Sequence, residues 1–171
     1  IVKKIFKAAD QKLDFPISNL ILNGPEEELQ LTKNTQPAIL TVSYSIYRVL
    51  KEEFNFNTEE IEFFAGHSLG EYSSLVCSQS LGFNDAIYLL HERGKSMQEA
   101  VPVGKGSMIA VLGCKIEDLN KLISTLQKKD GVCEIANDNA EGQIIISGDK
   151  DTVTKFTSLL KEKKIKYIPL K

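Results

Sequence analysis

Apolar positions along the chain follow a helical rhythm up to about residue 100 and a mixed helix-and-strand rhythm after it. Ile1, Ile5, Ala8 and Ala9 fall on one side of a helix over 1–13, and a short apolar piece over 17–22 ends at Asn23-Gly24. Pro25 followed by Glu26, Glu27 and Glu28 reads as a helix start, with acids at the positive end of the dipole. Thr35-Gln36-Pro37 opens a stronger helix, in which Ile39, Val42, Ile46, Val49 and Leu50 repeat at three and four up to about Phe54. The apolar run 61–65 is long enough for a buried strand, and helix formers occupy 71–81. Asn84 reads as the N-cap of a helix from Asp85 to Ala100, stopped before Pro102, with Gly104 and Gly106 in a linker.

From Ser107 the rhythm predicts strand 108–112, helix 116–127, strands 132–136 and 143–147, helix 151–163 and strand 165–170. That order, β-α-β-β-α-β, is the split βαβ pattern of a ferredoxin-like subdomain. The predicted domains are therefore 1–105 and 106–171. Asn137-Asp138-Asn139 falls in the hairpin between two of these strands, where turn chemistry is the default. Only one convincing strand precedes Ser107, and one strand cannot form a sheet. With no initiator Met, the chain reads as an internal piece of a larger α/β enzyme whose remaining strands lie outside 1–171.

Gly66-His67-Ser68-Leu69-Gly70 is a Gly-x-Ser-x-Gly pattern set between the 61–65 strand and the following helix. That context suits a nucleophile elbow, with Ser68 as nucleophile and the Leu69 N–H facing an oxyanion. A coincidental match to the pattern is the competing explanation. A serine nucleophile needs a base, and the chain has two histidines. His67, adjacent to Ser68, is a poor base for its neighbour and either lines the same pocket or is structural. His91, beside Glu92 and off the Ile87 and Leu90 face, is expected to be exposed. The base is expected from outside the chain. Arg93 stands three residues after Leu90 and four before Met97, on the apolar face. An inward arginine needs an anion, and an internal salt bridge and a clamp for a substrate carboxylate remain equally open. Gln36, just before Pro37, has a capping or turn role as its default, and Glu71 complements a helix dipole.

The formal net charge of −2 argues against nucleic acid or anionic membrane as a partner. No run approaches the length of a membrane span. Cys77, Cys114 and Cys133 form no C-x-x-C and accompany only two histidines, so no zinc-type metal site is expected. Free thiols in a reducing compartment fit instead.

Four stretches together resemble the malonyl-CoA:acyl carrier protein transacylases. They are GHSLGEY at 66–72, Thr35-Gln36-Pro37-Ala38, Arg93 to Ala100, and NDNAEGQ at 137–143, in family order. The resemblance covers nearly the whole chain. It implies an α/β fold: a partial α/β-hydrolase-like core with an inserted ferredoxin-like subdomain. It implies that Ser68 is acylated by malonyl-CoA and passes the malonyl group to the phosphopantetheine thiol of acyl carrier protein, in fatty acid biosynthesis. It further implies that Arg93 pairs with the malonyl carboxylate, that His67 and Gln36 lie in or near the pocket, and that Asn139 sits near the cleft between subdomains. Leu69 resembles malonyl-selective members. No cofactor is implied beyond the CoA thioester substrate, and the setting is cytoplasmic of bacterial type, or an organellar matrix. Two family features have no counterpart here: the Gly-Gln-Gly loop would lie upstream of Ile1 and the catalytic histidine beyond Lys171. The chain alone is therefore expected to be close to inactive. The rival readings are a serine esterase or thioesterase of α/β-hydrolase type and a non-catalytic ferredoxin-like binding module.

Overall fold

The computed structural model describes residues 1–102, 104–126 and 131–170. Its contacts divide the chain into Ile1–Ala100 and Val101–Lys171. Residues 101 to 105, read with the first domain from sequence, include two anchors to the second unit. The Lys105 carbonyl accepts from the Lys150 N–H at 3.0 Å, and Val101 fills the space where a Gly106 side chain would stand.

The first unit is helical: α1 Val2–Leu13, α2 Ile17–Asn23, α3 Glu26–Leu29, α4 Thr32–Glu53, α5 Leu69–Cys77 and α6 Phe83–Ala100. Ala9, Ile17, Ala38, Leu40, Val76, Ala86, Ile87 and Leu90 form its core. The pairing of α4 with α6 is its most extensive contact. α4 starts at Thr32, before Thr35, because α3 anchors it: Asn34 donates to the Glu28 carbonyl at 2.8 Å and Thr35 to the Leu29 carbonyl at 2.6 Å.

The apolar repeat of α4 does not face this core. Ile39 is 43 % and Ile46 57 % exposed, and Val42 and Leu50 are exposed beside them. The buried side instead mixes polar Asn34, Gln36, Thr41 and Ser45 with Pro37, Ala38 and a single large apolar residue, Leu40. Its hydroxyls stay satisfied inside the helix, Thr41 donating to the Pro37 carbonyl at 2.8 Å and Ser45 to the Thr41 carbonyl at 2.7 Å. Small side chains permit close approach of α6, so contact area comes from proximity rather than from bulk.

The strand expected over 61–65 is not formed, and Phe63 is 85 % exposed. A strand exists only through pairing, and the first unit has no second strand among its described residues. α5 begins directly after Ser68 and ends at Cys77, short of Leu81. α6 begins at Phe83, which puts Asn84 inside the first turn rather than at the cap.

The second unit holds β1 Gly106–Leu112, α7 Ile116–Ser124, β2 Cys133–Ala140, β3 Gln143–Asp149, α8 Lys150–Glu162 and β4 Lys166–Leu170. The order read from the sequence is present, and the strands lie as β2-β3-β1-β4 with every neighbour antiparallel. The core joins Ile109, Val111, Ile144 and Ile146 of the sheet to Leu119 of α7 and Val153, Phe156 and Leu160 of α8. Asn137, Asp138 and Asn139 belong to β2, not to a turn: register shifts at 135/137 and 138/140 absorb the irregular sequence, and Asn139 is exposed. The turn is left to Glu141 and Gly142, the latter at φ 74°. The predicted helix end at Gln127 lies outside the described residues. No helix among the described residues is long and apolar enough to cross a membrane.

Burial pushes the Cys133 thiol up to about 11, with the Glu134 carboxylate adding to the shift. The folded state thus holds this proton at pH values where the unfolded chain, with an ordinary thiol near 9.0, has released it. Stability from this group is complete below about 9 and falls as pH rises toward 11. Denaturant melts between pH 8 and 11 are expected to show a steeper loss for the wild type than for Cys133→Ala. Parallel curves would contradict the shift.

Candidate active site

Ser68 stands at φ 54° and ψ −117°, backbone that a residue bearing a Cβ seldom adopts. The turn is closed by the Gly70 N–H donating to the His67 carbonyl at 2.8 Å and the Glu71 N–H to the Ser68 carbonyl at 3.1 Å. It is tight enough that a Cβ on Gly66 would lie 2.0 Å from the Gly70 carbonyl oxygen, so only glycine fits at 66. Ser68 occupies the N-cap position of α5, yet its side chain caps nothing. An N-cap serine ordinarily accepts from the first turn; here the positive φ turns the hydroxyl elsewhere. Leu69 opens the helix, and its N–H is among those with no intrahelical acceptor.

The hydroxyl turned out of the cap meets Arg93. Arg93 Nη2 donates to Ser68 Oγ at 3.0 Å, and Nη1 donates to Gln36 Oε1. Gln36 is 3 % exposed, and its Nε2 donates to Thr32 Oγ1 at 2.9 Å and to Met97 Sδ at 3.3 Å. Three elements therefore converge: the start of α4, the start of α5 and the later half of α6. Among the described residues, ion pairs are made by Arg48, Lys95 and Lys121 and none by Arg93. Of the two options open for Arg93 in the sequence, the internal salt bridge is thus absent among the described residues. A half-buried guanidinium held by neutral partners keeps its full charge for an anion.

Gln36 has neither a capping nor a turn role. It lies within α4 because the helix starts before it, and its carboxamide holds the arginine. His67 is exposed, and no hydrogen bond joins it to Ser68 among the described residues. His91 is half-buried rather than exposed: its ring packs on Phe15 at 5.4 Å, and its Nδ1 lies 2.9 Å from the Lys33 carbonyl. Pro37 explains that bond. Proline has no N–H, so the carbonyl four residues earlier, at Lys33, loses its helical donor. A carbonyl only accepts, so the proton sits on Nδ1 of His91. Asn139 lies on β2 in the second unit.

Thr32 and Gly94 were missed in the sequence. Gly94 is buried in the middle of α6, and a Cβ there would stand 2.4 Å from Lys33 Cα and 2.6 Å from the Thr32 carbonyl oxygen. The backbones of α4 and α6 thus touch at the point where Gln36 meets Arg93. A glycine interrupting a helical pattern was the available signal.

Residues 2–167 match the family model described as acyl transferase domain. The chain is 43 % identical over 169 residues to the malonyl CoA-acyl carrier protein transacylase of Bacillus subtilis (strain 168), covering 98 % of this chain and 52 % of that one. It is 45 % identical over 163 residues to the enzyme of the same name from Haemophilus influenzae, covering 95 % and 51 %. The chain spans about half the length of these relatives. Among solved structures, an acyl-carrier-protein S-malonyltransferase from Bartonella henselae superposes with a TM-score of 0.90 at 37 % identity, over 99 % of this chain and 54 % of that one. A malonyl-transacylase in complex with its type II PKS acyl carrier protein gives 0.89 at 38 % identity, over 99 % and 54 %.

Gly94→Ala forces α4 and α6 apart, because the clash is with backbone that cannot rotate away. It is expected to destabilise by about 1–3 kcal/mol, as overpacking does. Gly70→Ala, whose Cβ would meet nothing within 4 Å, is the comparator and should change stability by less than about 1 kcal/mol. Denaturant melts of the two variants check the contrast; equal effects would contradict it.

Proposed function

Because the chain belongs to the acyl transferase domain family, we propose that it carries the nucleophile and carboxylate clamp of a malonyl-CoA:acyl carrier protein transacylase. The observation that carries this reading is the pair Ser68 and Arg93, with the guanidinium 3.0 Å from the hydroxyl and in no ion pair among the described residues. The names borne by the similar proteins support it.

In this reading Ser68 Oγ attacks the thioester carbonyl of malonyl-CoA. The carbonyl oxygen takes the negative charge beside the Leu69 N–H, at the positive end of α5. Collapse of that intermediate breaks the carbon–sulfur bond, expels CoA and leaves a malonyl ester on Ser68. The free carboxylate of malonate is two bonds from the reacting carbon and so falls within reach of Arg93. The thiol of phosphopantetheine then attacks the ester and regenerates Ser68. The proton of Ser68 passes to a base; His91 does not serve, since its ring packs on Phe15 and bonds the Lys33 carbonyl rather than Ser68. The family resemblance assigns that step to a histidine beyond Lys171. His67 borders the pocket in this reading. The first unit belongs to an α/β-hydrolase-like core, and the β2-β3-β1-β4 order of the second supports a ferredoxin-like insert. Malonyl-CoA and acyl carrier protein are the partners in this reading.

In the full-length protein, Ser68→Ala should abolish covalent labelling by malonyl-CoA. Arg93→Ala should lower malonyl transfer by about tenfold to a hundredfold, the value of hydrogen bonds to a charged group, and acetyl transfer far less. Mass spectrometry of the acyl-enzyme with each thioester reads both. Little change with either thioester on Arg93→Ala would favour an esterase with neutral substrates, and unchanged labelling of the Ser68 variant would refute the nucleophile.

A further inference from the structure

We propose that Thr32 is a positioning residue for acyl selectivity: it fixes the Gln36 carboxamide so that a neutral oxygen holds Arg93. The proposal rests on the reading of Arg93 as the carboxylate clamp. It names a further residue for that function, which touches neither the nucleophile nor the acyl group.

A carboxamide can be turned end for end at little cost in shape, so its direction must be set by its neighbours. Arginine presents only donors, and the atom facing it must therefore be Oε1. The amide end then faces two lone-pair acceptors, Thr32 Oγ1 at 2.9 Å and Met97 Sδ at 3.3 Å. The Thr32 hydroxyl can pair with either end, but thioether sulfur cannot donate, so the reversed carboxamide would set N–H against N–H at Arg93 and lose its bond to Met97. Gln36 is 3 % exposed, which leaves little room for water to replace a lost partner.

Thr32 is well placed to act as the fixed point. It is the first residue of α4, next to the backbone contact with Gly94 and close to the side chains of Asn34 and Thr35 that fasten α4 to α3. Charge is the second half of the argument. A carboxylate at position 36 would hold Arg93 more tightly but cancel its charge, leaving nothing for the substrate anion. A neutral oxygen positions the cation and leaves it uncompensated. Arg93 and Met97 set which end is which, and Thr32 anchors the amide end so that the oxygen stays in place at the arginine.

The experiment compares Thr32→Val, of the same shape but without the hydroxyl, with Thr32→Ser in the full-length protein. Acylation of Ser68 is measured with malonyl-CoA and with acetyl-CoA, alongside a thermal melt. Thr32→Val is expected to lower kcat/KM for malonyl-CoA by about tenfold, the cost of leaving a buried polar group without its partner. Acetyl-CoA should change less than about twofold on the same grounds, and Thr32→Ser should restore malonyl selectivity. If Thr32→Val does not fold, Thr32→Ala serves in its place. Equal losses for both thioesters, no loss for malonyl-CoA, or a failure of Thr32→Ser to restore selectivity would each overturn the positioning role. A wild type that loads acetyl as readily as malonyl groups would instead remove the clamp reading of Arg93, and this proposal with it.

Discussion

A positive charge held close to a serine hydroxyl by neutral partners is the constraint around which the first unit is built. Taking a guanidinium partly out of water is costly, and the usual remedy is a carboxylate beside it. Here the remedy is geometric. Arg93 spends its donors on a carboxamide oxygen and a hydroxyl oxygen, and the charge stays available. That arrangement needs α4 and α6 to meet at backbone distance, which is why Gly94 and the partly polar side of α4 stand where a bulky apolar interface would be expected.

The serine turn solves a complementary problem. A serine ahead of a helix is ordinarily used up as a cap, its oxygen accepting from the first turn. The positive φ at Ser68 prevents that, and closure of the turn by the Gly70 and Glu71 amides makes the conformation independent of the serine side chain. The hydroxyl is thereby released toward α6, while the helix keeps its exposed N–H groups near the same point. Local strain and long-range packing meet on one oxygen atom.

The parts legible in the sequence were those encoded by short, local patterns. The elbow was visible because Gly66 and Gly70 flank a serine, and the second unit because its period alternates between strand and helix. The strand at 61–65 was not realised, since pairing partners are not a property of a single segment. The burial of α4 was also hidden. Apolar periodicity usually marks the inner face, but Ile39, Val42 and Ile46 point outward, and the inner face is chosen by proximity to α6. Asn137 to Asn139 looked like a turn by composition, yet bulges let β2 absorb them. The inward position of Arg93 was readable from spacing. Its freedom from an ion pair among the described residues was not, because that depends on what lies across the interface.

Pro37 shows how a local defect becomes a tertiary bond. By withholding one N–H it leaves the Lys33 carbonyl open, and His91 closes the gap from the neighbouring helix. The two residues are consequently coupled under substitution. Restoring an N–H at 37 would make the imidazole redundant, and removing the imidazole would make the proline a liability. Their effects on stability should therefore be non-additive, with an interaction free energy that belongs to neither residue alone. A feature that looks like a helix flaw thus acts as a thermodynamic link between α4 and α6, one that holds the two helices in register beside the arginine.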